Sequence, residues 1–220
     1  MIELEIGLEE AWSRLCRDLS TDDDRRGAVW RGIVAAYGEP QRHYHTLSHI
    51  AAVVANAERL RDRFEDPSAA LLALFFHDIV YDPARHDNEA RSADRLRDVF
   101  GDIASIDRAC AHILATQHHD AQEDPDTNLV LDIDMAILGA SWESYRAYAE
   151  GVYREYLPVY GAEAYAKGRA ELFLKPTLAR ERLFLTPDFA HLENQAKRNL
   201  GDELDLWTKG GFALPPNVPI

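Results

Sequence analysis

The apolar run Ser68-Ala69-Ala70-Leu71-Leu72-Ala73-Leu74-Phe75-Phe76 ends in His77-Asp78. Both side chains are thereby delivered to the edge of a core, where an ionisable group is costly unless it is paired or bound to a metal. A buried hydrogen-bonded pair would account for that dipeptide alone, but it has company. His43, His45 and His49 crowd between Arg42 and Ile50, and the spacing of four places His45 and His49 on one helical face, one turn apart. Leu131-Asp132-Ile133-Asp134-Met135-Ala136-Ile137-Leu138 sets two carboxylates inside an apolar run; one aspartate could be a helix cap, but a second needs another reason. Imidazoles and carboxylates from three separate helices form a mixed N/O donor set suited to a borderline or hard divalent ion such as Mn, Fe, Ni, Co, Mg or Zn. Cysteine-based structural zinc is excluded, because the chain has only Cys16 and Cys110, far apart and each in an apolar helical pattern that reads as reduced core.

The elements that must position these groups read as all-α, about eight to ten helices around a central buried helix. Helices are expected from about Leu8 to Leu19, and after the polar run Thr21 to Arg26 on to about Tyr37, where Gly38-Glu39-Pro40 stops the chain. From Thr46 onward Leu47, Ile50, Val54, Ala57, Leu60 and Phe64 share one inward face. Asp66-Pro67 supplies an N-cap and a first-position proline for the run apolar on all sides, which is therefore the central helix. A helix from Asn88 to Phe100, closed by Gly101, precedes one that turns Ile103, Ile106, Cys110 and Ile113 inward. Pro125 among acidic residues marks a loop, followed by a short helix around Leu129 to Leu138 and a longer one opened by Ser141. A last helix is expected from Thr186-Pro187 to near Leu206.

Size and composition set the frame. A chain of 220 residues with 46% hydrophobic and 28% charged residues can bury its own core. With 24 Lys plus Arg against 38 Asp plus Glu, the net charge of -14 disfavours non-specific nucleic-acid binding and anionic membranes. An anionic substrate would need local help, which a bound cation could give. No window reaches the length of a membrane span and the acidic start is unlike a signal peptide, so a cytoplasmic protein is expected. Residues 1–209 read as one helical domain whose metal site is built from 42–50, 77–78 and 132–134. The proline-rich tail 210–220 is expected to run extended along the surface or a partner subunit, which admits a homodimer.

The order His49, His77-Asp78, Asp134, all on helices, resembles the signature of the HD superfamily of metal-dependent phosphohydrolases. A closer likeness, to a bacterial group of predicted HD phosphohydrolases, is carried by Tyr37-Gly38-Glu39-Pro40-Gln41-Arg42-His43-Tyr44-His45, Phe76-His77-Asp78-Ile79-Val80-Tyr81-Asp82-Pro83, Asp87-Asn88-Glu89 with Ser92-Ala93, and Leu131 to Leu138. The resemblance implies His49, His77, Asp78 and Asp134 as ligands of one divalent ion, with room for two. It also implies hydrolysis of a phosphomonoester or phosphodiester, a nucleotide or another small phosphorylated compound. Asp134 is preferred to Asp132 because superfamily members usually place the distal aspartate just before an apolar pair. Tyr44-His45-Thr46 followed by His49 is similar to the start of the cyclic-nucleotide phosphodiesterase site, which makes His45 the proton donor and His49 the ligand; the reverse division stays open.

Several further residues have two readings each. His118 and His119, beside Asp120, could meet a second metal or a substrate phosphate, or be a solvated helix end. Glu89, by the group resemblance, could orient a water at the metal, or serve as a first-turn acid. Arg42 could grip a phosphate with its planar fork or lie on the surface. Arg169, Arg198 and Asn199 fit the likeness but are left outside the site. In the expected mechanism the ion polarises a phosphoryl oxygen and lowers the pKa of the attacking water, Asp78 also orients that water, and His45 protonates the leaving oxygen. Rival classes are a metal- or nucleotide-binding sensor or scaffold without turnover, and a di-iron oxygenase that recruits His118 or His119.

Overall fold

The computed structural model describes residues 2–101 and 104–208, and among them every regular element is helical. The fold is all-α, as the periodicity predicts. The chain forms two compact units, Met1–Asp134 and Met135–Ile220. The extended tail expected at 210–220 lies outside the described residues.

The first unit contains α1 (Ile2–Asp18), α2 (Asp23–Tyr37), α3 (Leu47–Arg59), α4 (Pro67–Phe76), α5 (Asn88–Phe100), α6 (Ala104–Ala115) and most of α7 (Pro125–Met135). Its centre is α4, in which every residue from Ala69 to Phe76 is buried. A helix apolar all round can bury all of its faces only if other helices surround it; here α1, α3, α5 and α6 do so. Each of Leu71, Leu72, Leu74, Phe75 and Phe76 is at most 1% exposed, worth about 1.5–3 kcal/mol apiece. Trp12 of α1 packs edge-on against Phe75 with ring centroids 5.2 Å apart.

The expected capping of α4 is present: the Asp66 carboxylate accepts from the Ala69 amide at 2.9 Å, with Pro67 in the first turn. Gly101 closes α5 with φ 65°, a left-handed conformation that favours glycine. Three expectations in this unit are corrected. Pro125 is the first residue of α7 rather than a loop residue, because the Asp124 carboxylate accepts from the Asp126 amide at 2.9 Å and starts the helix there. The helix begun at Leu47 stops at Arg59, and Phe64 is buried from an extended backbone (φ -84°, ψ 142°) that leads to the α4 cap. His45 is not on α3. Thr46 has extended dihedrals (φ -115°, ψ 177°) and caps the helix through the Ser48 amide, so helical phase begins only at Leu47.

A buried polar network fastens the far end of α4. The Asp126 carboxylate, 1% exposed, accepts from the Glu65 and Asp66 amides at 2.9 and 2.8 Å and lies 3.3 Å from Arg108. Ser105 donates to Asp66 at 2.8 Å, and Arg108 also donates to Asp124. The α7 start is thereby tied to the α4 start, so both helices run toward the same end of the unit. Beside this network His112 is fully buried, with Nδ1 2.8 Å from the Thr127 hydroxyl and no partner for Nε2 among the described residues.

In the second unit α8 (Trp142–Gly168), opened by Ser141, is broken at Gly161 (φ 73°, ψ 164°). It continues into a π-helical turn, Arg169–Leu174, and then α9 (Lys175–Leu178). The last helix, α10, spans Glu193–Thr208 rather than starting at Thr186: the Glu193 carboxylate instead accepts from the Leu183 and Phe184 amides, holding the preceding segment as turns. Arg169 forms a buried pair with Glu203, which also accepts from Tyr145 and Trp207. Asn199 donates to the carbonyls of Leu138 and Ala140. Both therefore have structural partners inside this unit.

Two stability effects follow. Asp126→Ala strips two amides and Arg108 of a buried acceptor and should lower the free energy of unfolding by about 3 kcal/mol in urea titrations; an unchanged midpoint would mean that the network does not hold α4. Burial depresses the His112 pKa below its ordinary 6.5, so the unfolded chain binds the proton more tightly. The stability that His112 contributes is complete above pH 6.5 and is lost as pH falls below it. His112→Leu should flatten that part of the pH–stability curve, and an identical curve would rule the effect out.

Candidate metal centre

Three helix ends bring the four predicted groups together. His49 enters from the first turn of α3, His77 is the C-cap of α4 with Asp78 directly after it, and Asp134 belongs to the last turn of α7. Two of these elements, α4 and α7, end at the cluster, and helix C-termini favour a cation.

The distances are those of atoms sharing one small centre. His49 Nε2 and His77 Nε2 are 3.1 Å apart, and His77 Nε2 is 3.0 Å from Asp78 Oδ2. Asp134 Oδ1 lies 3.3 Å from His49 Nε2 and 3.5 Å from His77 Nε2. Donor atoms of His49, His77 and Asp78 all lie within 4.8 Å of one another. Neighbouring ligands around an ion at about 2.1 Å are separated by roughly 3.0 Å, so this donor set fits a divalent cation in both chemistry and spacing.

Second contacts aim the ligand atoms. His77 Nδ1 lies 3.1 Å from the Leu74 carbonyl, where it can donate, leaving Nε2 directed at the centre. His119, held at φ 52°, places Nε2 2.9 Å from Asp134 Oδ2, so Oδ1 of the same carboxylate faces the two imidazoles. Sequence reasoning considered His119 for a second ion but not as a support for Asp134. Its left-handed backbone, which a spacing argument cannot reveal, makes that contact.

Electrostatics define the charge balance. Burial opposes charge on His77, yet the Asp78 and Asp134 carboxylates outweigh it and hold its pKa well above 6.5. Burial lowers the pKa of His49 despite the nearby Asp134. Burial likewise acts to raise the pKa of both carboxylates, but His77 and its neighbours hold Asp78 and Asp134 well below the usual range. The cluster thus favours two ionised carboxylates about His77, an arrangement that attracts positive charge.

The other predicted residues are placed as follows. His45 lies just before α3, with Nε2 3.9 Å from Asp78 Oδ2 and a side chain 19% exposed. Its ring packs on Tyr81 at 4.3 Å between centroids, a contact that local periodicity does not reveal. Asp132 is buried on α7 two residues before Asp134, about 200° around the helix, and so points away from it. His118 is exposed. Glu89 is partly exposed in the first turn of α5 and forms no ion pair with the cluster among the described residues. Arg42 is not a surface residue: its side chain is fully buried and turned toward backbone carbonyls.

No helix of the described residues is long and apolar enough to cross a membrane. Neither the curated proteins nor the solved structures yield a match to this chain. A family comparison does: residues 46–137 match the HD domain, a span that contains His49, His77, Asp78 and Asp134 and begins one residue after His45. That segment, under half of the 220-residue chain, is what is similar to the HD domain.

Proposed function

We propose that the chain is a metal-dependent hydrolase of a phosphomonoester or phosphodiester, acting on a nucleotide or another small phosphorylated compound. The observation that carries this reading is the convergence of His49, His77, Asp78 and Asp134 at ligand spacing, inside a segment matching the HD domain. HD domains are typical of metal-dependent phosphohydrolases. Those four side chains would hold one divalent ion, Mn, Fe, Ni, Co, Mg or Zn. When bound, such an ion supplies Lewis acidity toward a phosphoryl oxygen and lowers the pKa of water beside it.

The chain's own groups supply the rest. Asp78, kept ionised by His77 and His45 against its burial, has its Oδ2 close to both His77 and His45 and can orient a water between the centre and solvent. His45 stands just before α3, partly exposed and 3.9 Å from Asp78, which suits a group that protonates the leaving oxygen. His119 restrains Asp134. The protein is proposed as soluble, cytoplasmic and folded as one functional chain with a compact N-terminal site.

The first experiment is metal analysis, followed by phosphatase and phosphodiesterase assays with the ion found; absence of turnover with every divalent ion across nucleotides and simple phosphoesters would favour a sensor over an enzyme. His45→Ala should lower kcat by about 10²- to 10⁴-fold with metal content intact, whereas Asp78→Ala should lose the metal itself. Equal loss of metal in both variants would defeat this division of roles. Because Asp78 and Asp134 favour the charged form of His77, metal binding near pH 7 should release about one proton per ion and tighten as pH rises. Calorimetry in buffers of different ionisation enthalpy reads that number, and no release would contradict a protonated His77.

A further inference from the structure

Arg42 makes four hydrogen bonds beside the site, yet it touches none of the proposed ligand side chains. It belongs to the turn between α2 and α3, and its side chain is fully buried. Nη1 donates to the Asp78 carbonyl at 2.7 Å and to the His45 carbonyl at 3.3 Å, and Nη2 donates to the Ile79 carbonyl at 3.2 Å. Nε donates to Glu39 at 3.0 Å. The guanidinium lies near two aromatic rings, 5.0 Å from the Tyr37 centroid and 5.2 Å from that of Tyr81. Tyr81 in turn packs on the His45 ring, and Tyr37 donates to the Phe75 carbonyl at 3.1 Å.

We infer that Arg42 is a positioning residue, whose guanidinium forks across the carbonyls of His45, Asp78 and Ile79 and thereby holds the His45 segment against the end of α4. Those carbonyls belong to two chain segments more than thirty residues apart, and α4 has no further turn to bond the carbonyls just beyond its end. A planar fork can satisfy them together and fix their separation; an ammonium is a point charge on a flexible stem and cannot. Arg42 therefore sets where His45 stands relative to Asp78, and it is unavailable to grip a substrate phosphate.

The inference rests on the proposed metal site, and the test separates the two. Cobalt(II) is titrated into wild-type protein, Arg42→Lys and Arg42→Ala; visible spectra report the ligand field, circular dichroism reports folding, and turnover is measured with the substrate found for wild type. Both variants should bind cobalt about 10- to 100-fold more weakly or turn over that much more slowly, with kcat affected more than KM. Methylguanidinium at millimolar concentration should restore Arg42→Ala in part, by refilling the space between Tyr37 and Tyr81. Wild-type protein that binds no cobalt would overturn the site and this inference with it. Wild-type binding with an Arg42→Lys variant of unchanged affinity, spectrum and kcat would overturn the inference alone. So would loss of helical signal in step with every functional loss and no rescue, since Arg42 would then merely support the fold.

Discussion

The centre depends on the cost of gathering Asp78 and Asp134 around His49 and His77 where water is scarce. Two carboxylates at this depth repel one another and lose hydration, and a protein tolerates that only when positive charge offsets it. Here the offset comes from His77, whose charged form the two carboxylates favour, and from the His119 contact to Asp134, with two helix C-termini adding their own preference for a cation. A divalent ion would replace one proton by two charges at the same point. The same geometry therefore accounts for the perturbed acid–base balance and for why a divalent cation would fit there.

The first unit is built to keep that concentration of charge from dispersing. α4 contributes almost no local polarity along its length, so its orientation is decided at its ends. At the start, Asp126 and Asp66 bind it to α7 and α6 through amides and a serine hydroxyl. At the finish, Arg42 gathers the carbonyls that follow the last turn. About ten residues of helix, some 15 Å, lie between these fastenings and are surrounded by close-packed apolar side chains. A shift of α4 along its axis would break one polar cluster or the other, so His77 and Asp78 are delivered at a fixed height relative to Asp134. Rigid elements place ligands more precisely than loops can.

Much of this was legible in the residues. The all-round apolarity of Ala69 to Phe76, the Asp66-Pro67 start and the Gly101 stop each follow from local chemistry, and each is where expected. Donor types and their order along the chain pointed to a shared centre because helices leave few other reasons for buried imidazoles and carboxylates. What escaped were features decided by tertiary partners. His45 was placed on a helix because a spacing of four matches the helical period, but Thr46 is a better cap than helix interior and breaks the phase. Pro125 was read as a loop signal when the preceding Asp124 makes it a helix start. Long-range acceptors for Arg42, Asp126 and Asn199 leave no trace in local periodicity.

Arg42 shows why residue type alone misassigns such groups. Beside three histidines in an acidic chain, an arginine has two plausible tasks, to meet an anionic ligand or to close the backbone around it. The choice is settled by which acceptors are otherwise unsatisfied. Carbonyls beyond the end of a buried helix have neither the next turn nor water to donate to them, and leaving them unpaired costs more than leaving a surface phosphate contact unmade. Burial of the guanidinium near Tyr37 and Tyr81 reinforces that outcome, because the rings accept its charge on faces that an incoming phosphate could not reach. On the proposed function, recognition of an anionic substrate would then fall to a bound cation and to partly exposed groups such as His45, 3.9 Å from Asp78.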